Sequence, residues 1–236
     1  MTDLLVIFLL LAGGAASAWW KKLTPAAAIT GVLTGGSIYA GGGYPGLLLL
    51  ALFFVLGTAA TSWQKQKKLS IRGNAAHEST RTSGQVIANA GVAAIAGIMA
   101  ILLPAHRDLF LLLIAASLSS ATADTLSSEL GIIYGRRFYH LLTLKPDQQG
   151  LDGVVSIEGT LIGIAGSAII ATAHSLATHW SLRAFMIILV AGTVGNLVDS
   201  LLGALFERKG MLTNNTVNFL NTLAAALIAL LTSYPF

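Results

Sequence analysis

The chain is divided into apolar runs of about 20 residues that carry no charge, the length needed to cross roughly 30 Å of hydrocarbon. Lipid offers no partner for a backbone amide, so each such run must fold as a helix that satisfies its own hydrogen bonds. Eight runs stand out, near 3–20, 24–40, 46–63, 84–103, 108–130, 154–175, 182–205 and 217–234. They consume most of the 236 residues and leave no room for a soluble domain. Only 10% of the residues are charged, against about 25% in a globular protein. Secreted, disordered, nucleic-acid-binding and soluble-enzyme readings are excluded on that ground. The expectation is an all-α, polytopic integral membrane helix bundle, a single transmembrane domain over 1–236.

The basic residues give the bundle an orientation. Twelve of the 14 fall in odd-numbered loops: Lys21 and Lys22; Lys65, Lys67, Lys68, Arg72 and Arg81; Arg136, Arg137 and Lys145; Arg208 and Lys209. The even-numbered loops hold only Arg107 and Arg183. Basic loops stay on the cytoplasmic side, so both termini are expected outside, and the net charge of +4 is mostly topology. The first run resembles a signal peptide, but Met1-Thr2-Asp3 lacks the basic region that should precede one. It is read as a span.

Several motifs lead nowhere. Gly41-Gly42-Gly43-Tyr44-Pro45-Gly46 matches a dinucleotide-binding pattern, but it follows a membrane helix and opens no βαβ unit. There is no cysteine, which removes thiolate nucleophiles and zinc–cysteine sites. No two of the five histidines stand at the i, i+3 or i+4 spacing that would build a metal face.

Acids inside membrane helices cost about 2.5–3.5 kcal/mol each on insertion scales and therefore need a reason. Asp124, in the string ATADTLSSE, and Asp199, in GNLVDSLLG, sit at similar depths near the inner ends of the fifth and seventh runs. Asn196, Asp199, Ser200 and Gly203 form one helical stripe, and Thr125 pairs by spacing with Glu129. Three loops, near 64–83, 131–153 and 206–216, bring further polar groups to the same side. These are Glu78, Arg81, Gln85 and Asn89; Lys145, Asp152, Gly153, Ser156 and Glu158; Arg208, Asn214, Asn215 and Asn218. Carboxylates ringed by Lys, Arg and Asn at a membrane surface suit a site for Mg²⁺ and phosphate, because Mg²⁺ takes a few carboxylates together with phosphate oxygens.

The strings ATADTLSSELG (121–131), GLDGVVSIEGT (150–160), GNLVDSLLGA (195–204) and LTNNTVNFLNT (212–222), with GQVIANAGVAA (84–94), resemble a family of multi-pass membrane proteins that includes the plant phytyl-phosphate kinase. The resemblance implies phosphoryl transfer from CTP or another nucleoside triphosphate to a prenyl or phytyl monophosphate, with Mg²⁺ as cofactor. It implies a site on the cytoplasmic side of the cell membrane, and its partners are the prenyl phosphate lipid, the nucleotide and membrane lipids, with room for a homo-oligomer. Asp124, Glu129 and Asp199 fall on motif acids and are expected to serve the metal. Arg81, Gln85, Asn89, Lys145, Asn214, Asn215 and Asn218 fall on motif polar positions. On this reading Lys145, Arg81 and Arg208 offset phosphate charge, Asp152 assists the metal, and the prenyl chain lies in a lipid-facing groove between Gly/Ala-rich helices. Where the family often has Asn-Gly-Gly, this chain has Asp152-Gly153-Val154. An ion-coupled transporter and a CTP-dependent lipid cytidylyltransferase are the alternatives.

Overall fold

The computed structural model describes residues 2–72 and 80–233. Glu78, together with Asn74 and His77, lies outside the described residues. The helices are α1 (Thr2–Trp19), α2 (Pro25–Ser62), α3 (Lys65–Arg72), α4 (Ser83–Leu102), α5 (Arg107–Tyr134), α6 (Ile157–Ala177), α7 (Leu182–Leu202) and α8 (Asn214–Ser233). Six of the described helices are long and apolar enough to cross a membrane: α2, α4, α5, α6, α7 and α8. The chain is therefore an all-α polytopic membrane protein.

The expected runs 24–40 and 46–63 are joined in the 38-residue α2, which is not straight. Gly43 adopts φ 63°, ψ −154°, a conformation open to glycine, and Pro45 follows. Gly35 approaches Leu50, and Gly46 approaches Ile38, so closely that a Cβ on either would lie within 3.3 Å of the other residue. In a straight helix Gly35 and Leu50 would be separated by about 22 Å at 1.5 Å per residue. The two arms of α2 thus run back alongside each other. The Gly41–Pro45 reversal, matched above to a nucleotide pattern, is this turn, and Arg107 Nε closes it by donating to the Gly41 carbonyl at 2.9 Å.

Helix α5 is the axis, packed by α2, α4, α6, α7 and α8. Every residue from Ile114 to Asp124 is buried, which a helix achieves only when neighbours cover all its faces. Its small residues make that possible. A Cβ on Gly192 of α7 would overlap Ser119, one on Gly195 would overlap Ser120, and one on Gly166 of α6 would press on Leu126. Small residues at such crossings let backbones approach where lipid provides no hydrophobic force between helices. The outward side chains, among them Leu5, Phe8, Ile29, Leu33, Val55, Leu161 and Leu231, are apolar and exposed. All four tryptophans are exposed near helix ends, Trp19, Trp20 and Trp63 at one end of the bundle and Trp180 at the other, in the manner of an interfacial belt.

Contacts between loops sort the connections into two ends. Lys22 and Thr24 exchange backbone hydrogen bonds with Arg81 at 2.9 and 3.0 Å. Trp63 Nε1 donates to the Tyr134 hydroxyl at 2.9 Å, and Arg208 reaches Asp147 at 2.6 Å. At the opposite end the Tyr39 hydroxyl bonds Asp3, and Arg183 bonds the Thr232 and Ser233 carbonyls. The loops rich in Lys and Arg share one end, with α1's start and α8's finish at the other. Between α5 and α6 the chain is not a plain loop: Tyr139–His140 (β1) and Val154–Val155 (β2) form a two-stranded antiparallel ribbon, with Tyr139 opposite Val155. No strand was anticipated from the sequence, and two-residue strands carry no period that could reveal them.

The chain has no native cysteine, which makes its topology directly measurable. Single cysteines at Lys67 and Lys209 should react with a membrane-impermeant maleimide from one side of sealed vesicles, and cysteines at Ala105 and Ser181 from the other. A Gly192→Val variant should lose about 1–3 kcal/mol through overpacking against Ser119, read as a lowered thermal midpoint in detergent.

Candidate functional site

At the basic end a cavity of about 380 Å³ opens between α4, α5, α6, α7 and α8. The first turns of α4, α6 and α8 border it through Gln85, Gly159 with Thr160, and Asn214 with Asn218. Three helix N-termini, each carrying partial positive charge, therefore border one space. Each has a local reason to begin there. Thr82 caps α4 in a reciprocal box, its amide donating to Gln85 Oε1 at 2.9 Å while its hydroxyl accepts from the Gln85 amide. Ser156 caps α6 by accepting from the Gly159 amide at 3.0 Å. Gln85 and Ser156, expected to bind ligand, spend these atoms on capping.

Asp124 of α5 and Asp199 of α7 both line this cavity, their carboxyl groups close enough to act on each other. Two carboxylates this close repel unless a proton or a cation lies between them. Asn221 of α8 holds Asp199, its Nδ2 donating at 2.6 Å, and in turn accepts from Ser120 of α5 at 3.1 Å. Ser127 donates to Asn196 of α7 at 3.0 Å. These bonds knit α5, α7 and α8 together beside the aspartates.

Carboxylates dominate the lining: Asp124, Glu129, Asp152, Asp199 and Glu207, against Arg81 as the one cationic side chain among the described lining residues. Arg81 is half-buried, its guanidinium 5.5 Å from the Phe53 ring centre and 6.0 Å from that of Phe54. Burial lowers its pKa from the ordinary value, and the Glu129 charge opposes that shift. Two amide oxygens in the lining, on Asn89 and Asn218, are buried with no hydrogen-bond partner. Unsatisfied buried polar atoms are costly and are natural places for a ligand or cation to dock.

The loop over the cavity depends on glycine. Gly153 takes φ 72°, and a Cβ there would overlap Ala204. Ala204 belongs to a π-helical turn over Gly203–Glu207 that continues α7. The wider turn carries Glu207 into the cavity lining.

The structure gathers most of the expected residues but not all. Asp124, Asp199, Arg81, Gln85, Asn89, Asp152, Gly153, Ser156, Asn214 and Asn218 line the cavity. Lys145 does not; it is exposed beside the ribbon, where its carbonyl accepts from the His140 amide. Arg208 is exposed and paired with Asp147. Glu158 accepts from the Arg136 amide outside the cavity, and Asn215 lies against Gly84. Glu129 lines the cavity but is ion-paired with Lys68, whose ammonium also donates to the Ala60 and Thr61 carbonyls at 2.8 Å. Among the described residues, no three acidic or histidine side chains converge as a ready-made metal site. The Asp124, Glu129, Asp199 set is thus not assembled as a triad. Lys68, Asn196, Glu207 and Asn221 were not singled out as site residues. The asparagines were within reach, since Asn196 shares Asp199's stripe and Asn214, Asn218 and Asn221 share a face at i, i+4 and i+7.

Removing one partner of a buried ion pair strands the other charge. Lys68→Met should therefore cost about 3–5 kcal/mol, and Lys68→Met with Glu129→Gln should recover part of it, read from detergent melting curves. Asp147 lies below its ordinary pKa, chiefly because Arg208 bonds it. A depressed carboxylate stabilises above its unfolded value, about 3.9, and loses that contribution as pH falls through the lowered folded value. The 140s loop should accordingly keep its protease resistance at pH 5 and lose it near pH 3, whereas Asp147→Asn should be cleaved faster than the wild type at pH 5 and at a similar rate near pH 3.

Comparison with known sequences supports this placement of the chain among membrane proteins. A family model described as integral membrane protein DUF92 matches residues 7–226. An uncharacterized membrane protein of Methanocaldococcus jannaschii is 34% identical over 189 residues, covering 80% of this chain and 76% of its own. The chloroplastic protein VTE6 of Arabidopsis thaliana is 30% identical over 195 residues, covering 80% of this chain and 59% of VTE6. An uncharacterized membrane protein of Synechocystis is 33% identical over 201 residues, covering 82% and 76%. No solved structure matches the chain.

Proposed function

The chain belongs to the DUF92 family of integral membrane proteins, and on that premise we propose that it is a membrane kinase. It moves a phosphoryl group from CTP, or another nucleoside triphosphate, to a prenyl or phytyl monophosphate. The product is the diphosphate. On the same reading α1, the two arms of α2 and the five later spans make eight crossings, both termini lie outside, and the cavity faces the cytoplasm. The observation that carries the proposal is the convergence of Asp124 and Asp199 on one cavity bordered by three helix N-termini.

An excess of carboxylates alone would repel two phosphate-bearing substrates, so the cavity needs a cation. Its donors are carboxylate and amide oxygens, the hard ligands that Mg²⁺ prefers, and phosphate oxygens complete such sites. Asp124 and Asp199 would hold the ion, with the Asn218 oxygen and Asp152 within the same lining. When bound, magnesium neutralises donor charge and aligns the transferred group.

The chain's own residues supply the rest. The positive ends of α4, α6 and α8 attract phosphate oxygens, and Arg81 holds the acceptor's monophosphate. Asn221 fixes the Asp199 rotamer. An acceptor oxygen attacks the γ-phosphorus while the bond from that phosphorus to the β–γ bridging oxygen breaks, and the bond's electrons leave with CDP. The second ionisation of a phosphate monoester lies near pH 6, so the nucleophile is already anionic and no general base is required. Transport demands access from both ends, and the all-round burial of Ile114–Asp124 argues against a path past the aspartates.

Purified protein supplied with γ-labelled CTP, Mg²⁺ and phytyl or geranylgeranyl monophosphate should yield labelled prenyl diphosphate and CDP. Pyrophosphate with a CDP-lipid would instead identify cytidylyl transfer. Asp124→Asn and Asp199→Asn should each lower kcat at least a hundredfold, the scale on which losing a preorganised electrostatic group acts, while the protein stays folded in the membrane. Wild-type turnover in folded Asp124→Asn would refute the assignment.

A further inference from the structure

A second cavity, of about 370 Å³, lies between α1, both arms of α2 and α4. Its walls are mostly apolar, with Leu10, Val32, Leu50 and Phe54 prominent and Ser17 and Thr34 among them, and it shares Arg81, Gln85 and Asn89 with the polar cavity. The two spaces therefore meet at a half-buried guanidinium. Gly13 and Gly31 are among the lining residues of the apolar one. A Cβ on Gly13 would touch nothing within 4 Å, and one on Gly31 would meet only Leu23 at 3.9 Å.

An apolar cleft in a membrane protein is not by itself a site, since lipid can fill it. This one ends on the Arg81 guanidinium, a cation that also lines the carboxylate cavity. A ligand matching both spaces has an anionic head attached to one hydrocarbon chain. We infer that the cavity between α1, α2 and α4 is the tail subsite for a single-chain lipid monophosphate, with Arg81 receiving the phosphate at the junction. The inference rests on the proposed lipid-phosphate reading and deepens it, naming where the acceptor lies. The tail buries apolar surface at about 25 cal/mol per Å², so affinity rises with chain length until the cleft is filled. A diacyl lipid brings a second chain for which this single cleft has no place.

The test needs no turnover. Full-length protein in detergent, without nucleotide, is irradiated with diazirine-bearing geranylgeranyl monophosphate and its modified peptides are mapped. Label should fall on α1, α2 and α4. Unlabelled geranylgeranyl monophosphate should compete, and inorganic phosphate and dioleoyl phosphatidate should not. Gly13→Leu with Gly31→Leu, which place side chains into open space, should cut labelling at least tenfold and raise the acceptor KM similarly with little change in kcat. Label mapped to α6–α8, undiminished label in the filled variant, or equal competition by phosphatidate would each overturn the subsite. Should the wild type take label on α1, α2 and α4 yet transfer no phosphate, the subsite stands and the kinase reading falls.

Discussion

Helix α5 has no lipid-facing side from Ile114 to Asp124, and the positions of the other spans follow from covering it. Ala, Ser and Thr on α5 meet Gly on α6 and α7, so the backbones come close enough for short polar side chains to bond across the crossings. Ser120 reaches Asn221, and Ser127 reaches Asn196. The burial of Asp124 is tolerable only inside this shell, because lipid at the same depth would leave a carboxyl group without partners. The chemistry of the cavity therefore depends on the packing of small residues.

Charge is divided unevenly between the cavity and its rim. Most Lys and Arg at this end lie on the outside, where they suit a phospholipid surface, while the cavity collects carboxylates and one guanidinium. Lys68 is the exception, drawn under α3 to neutralise Glu129 and to bond the Ala60 and Thr61 carbonyls in the last turn of α2. That pair takes one carboxylate out of the count available to a cation and leaves Asp124 with Asp199 as the close pair. Arg81 stands where polar and apolar spaces join, packed on Phe53 and Phe54.

Much of this was legible along the chain, for identifiable reasons. Asp124 and Asp199 were conspicuous because each interrupts an apolar run, and their depths followed from the helical rise. Asn89 and Asn218 came with the polar positions of the motif strings. Lys145 and Arg208 went astray because a residue's presence in a loop on the correct side does not fix the direction of its side chain. The β1–β2 ribbon carries Lys145 outward and presents Asp147 to Arg208. Glu207 was missed because the π turn alters the helical register that a 3.6-residue count assumes.

The sequence by itself determined the membrane setting, the helical class, the boundaries of most spans and the grouping of basic loops at one end. Those properties are imposed by lipid as a solvent, which acts on each segment separately and leaves its mark in local composition. The tertiary structure alone decided which acid keeps company with which base, where α2 doubles back, and that polar and apolar cavities share Arg81. Such pairings join distant segments, as Lys68 and Glu129, 61 residues apart, show. They are selected by the shape and electrostatics of the packed bundle, for which no local pattern exists.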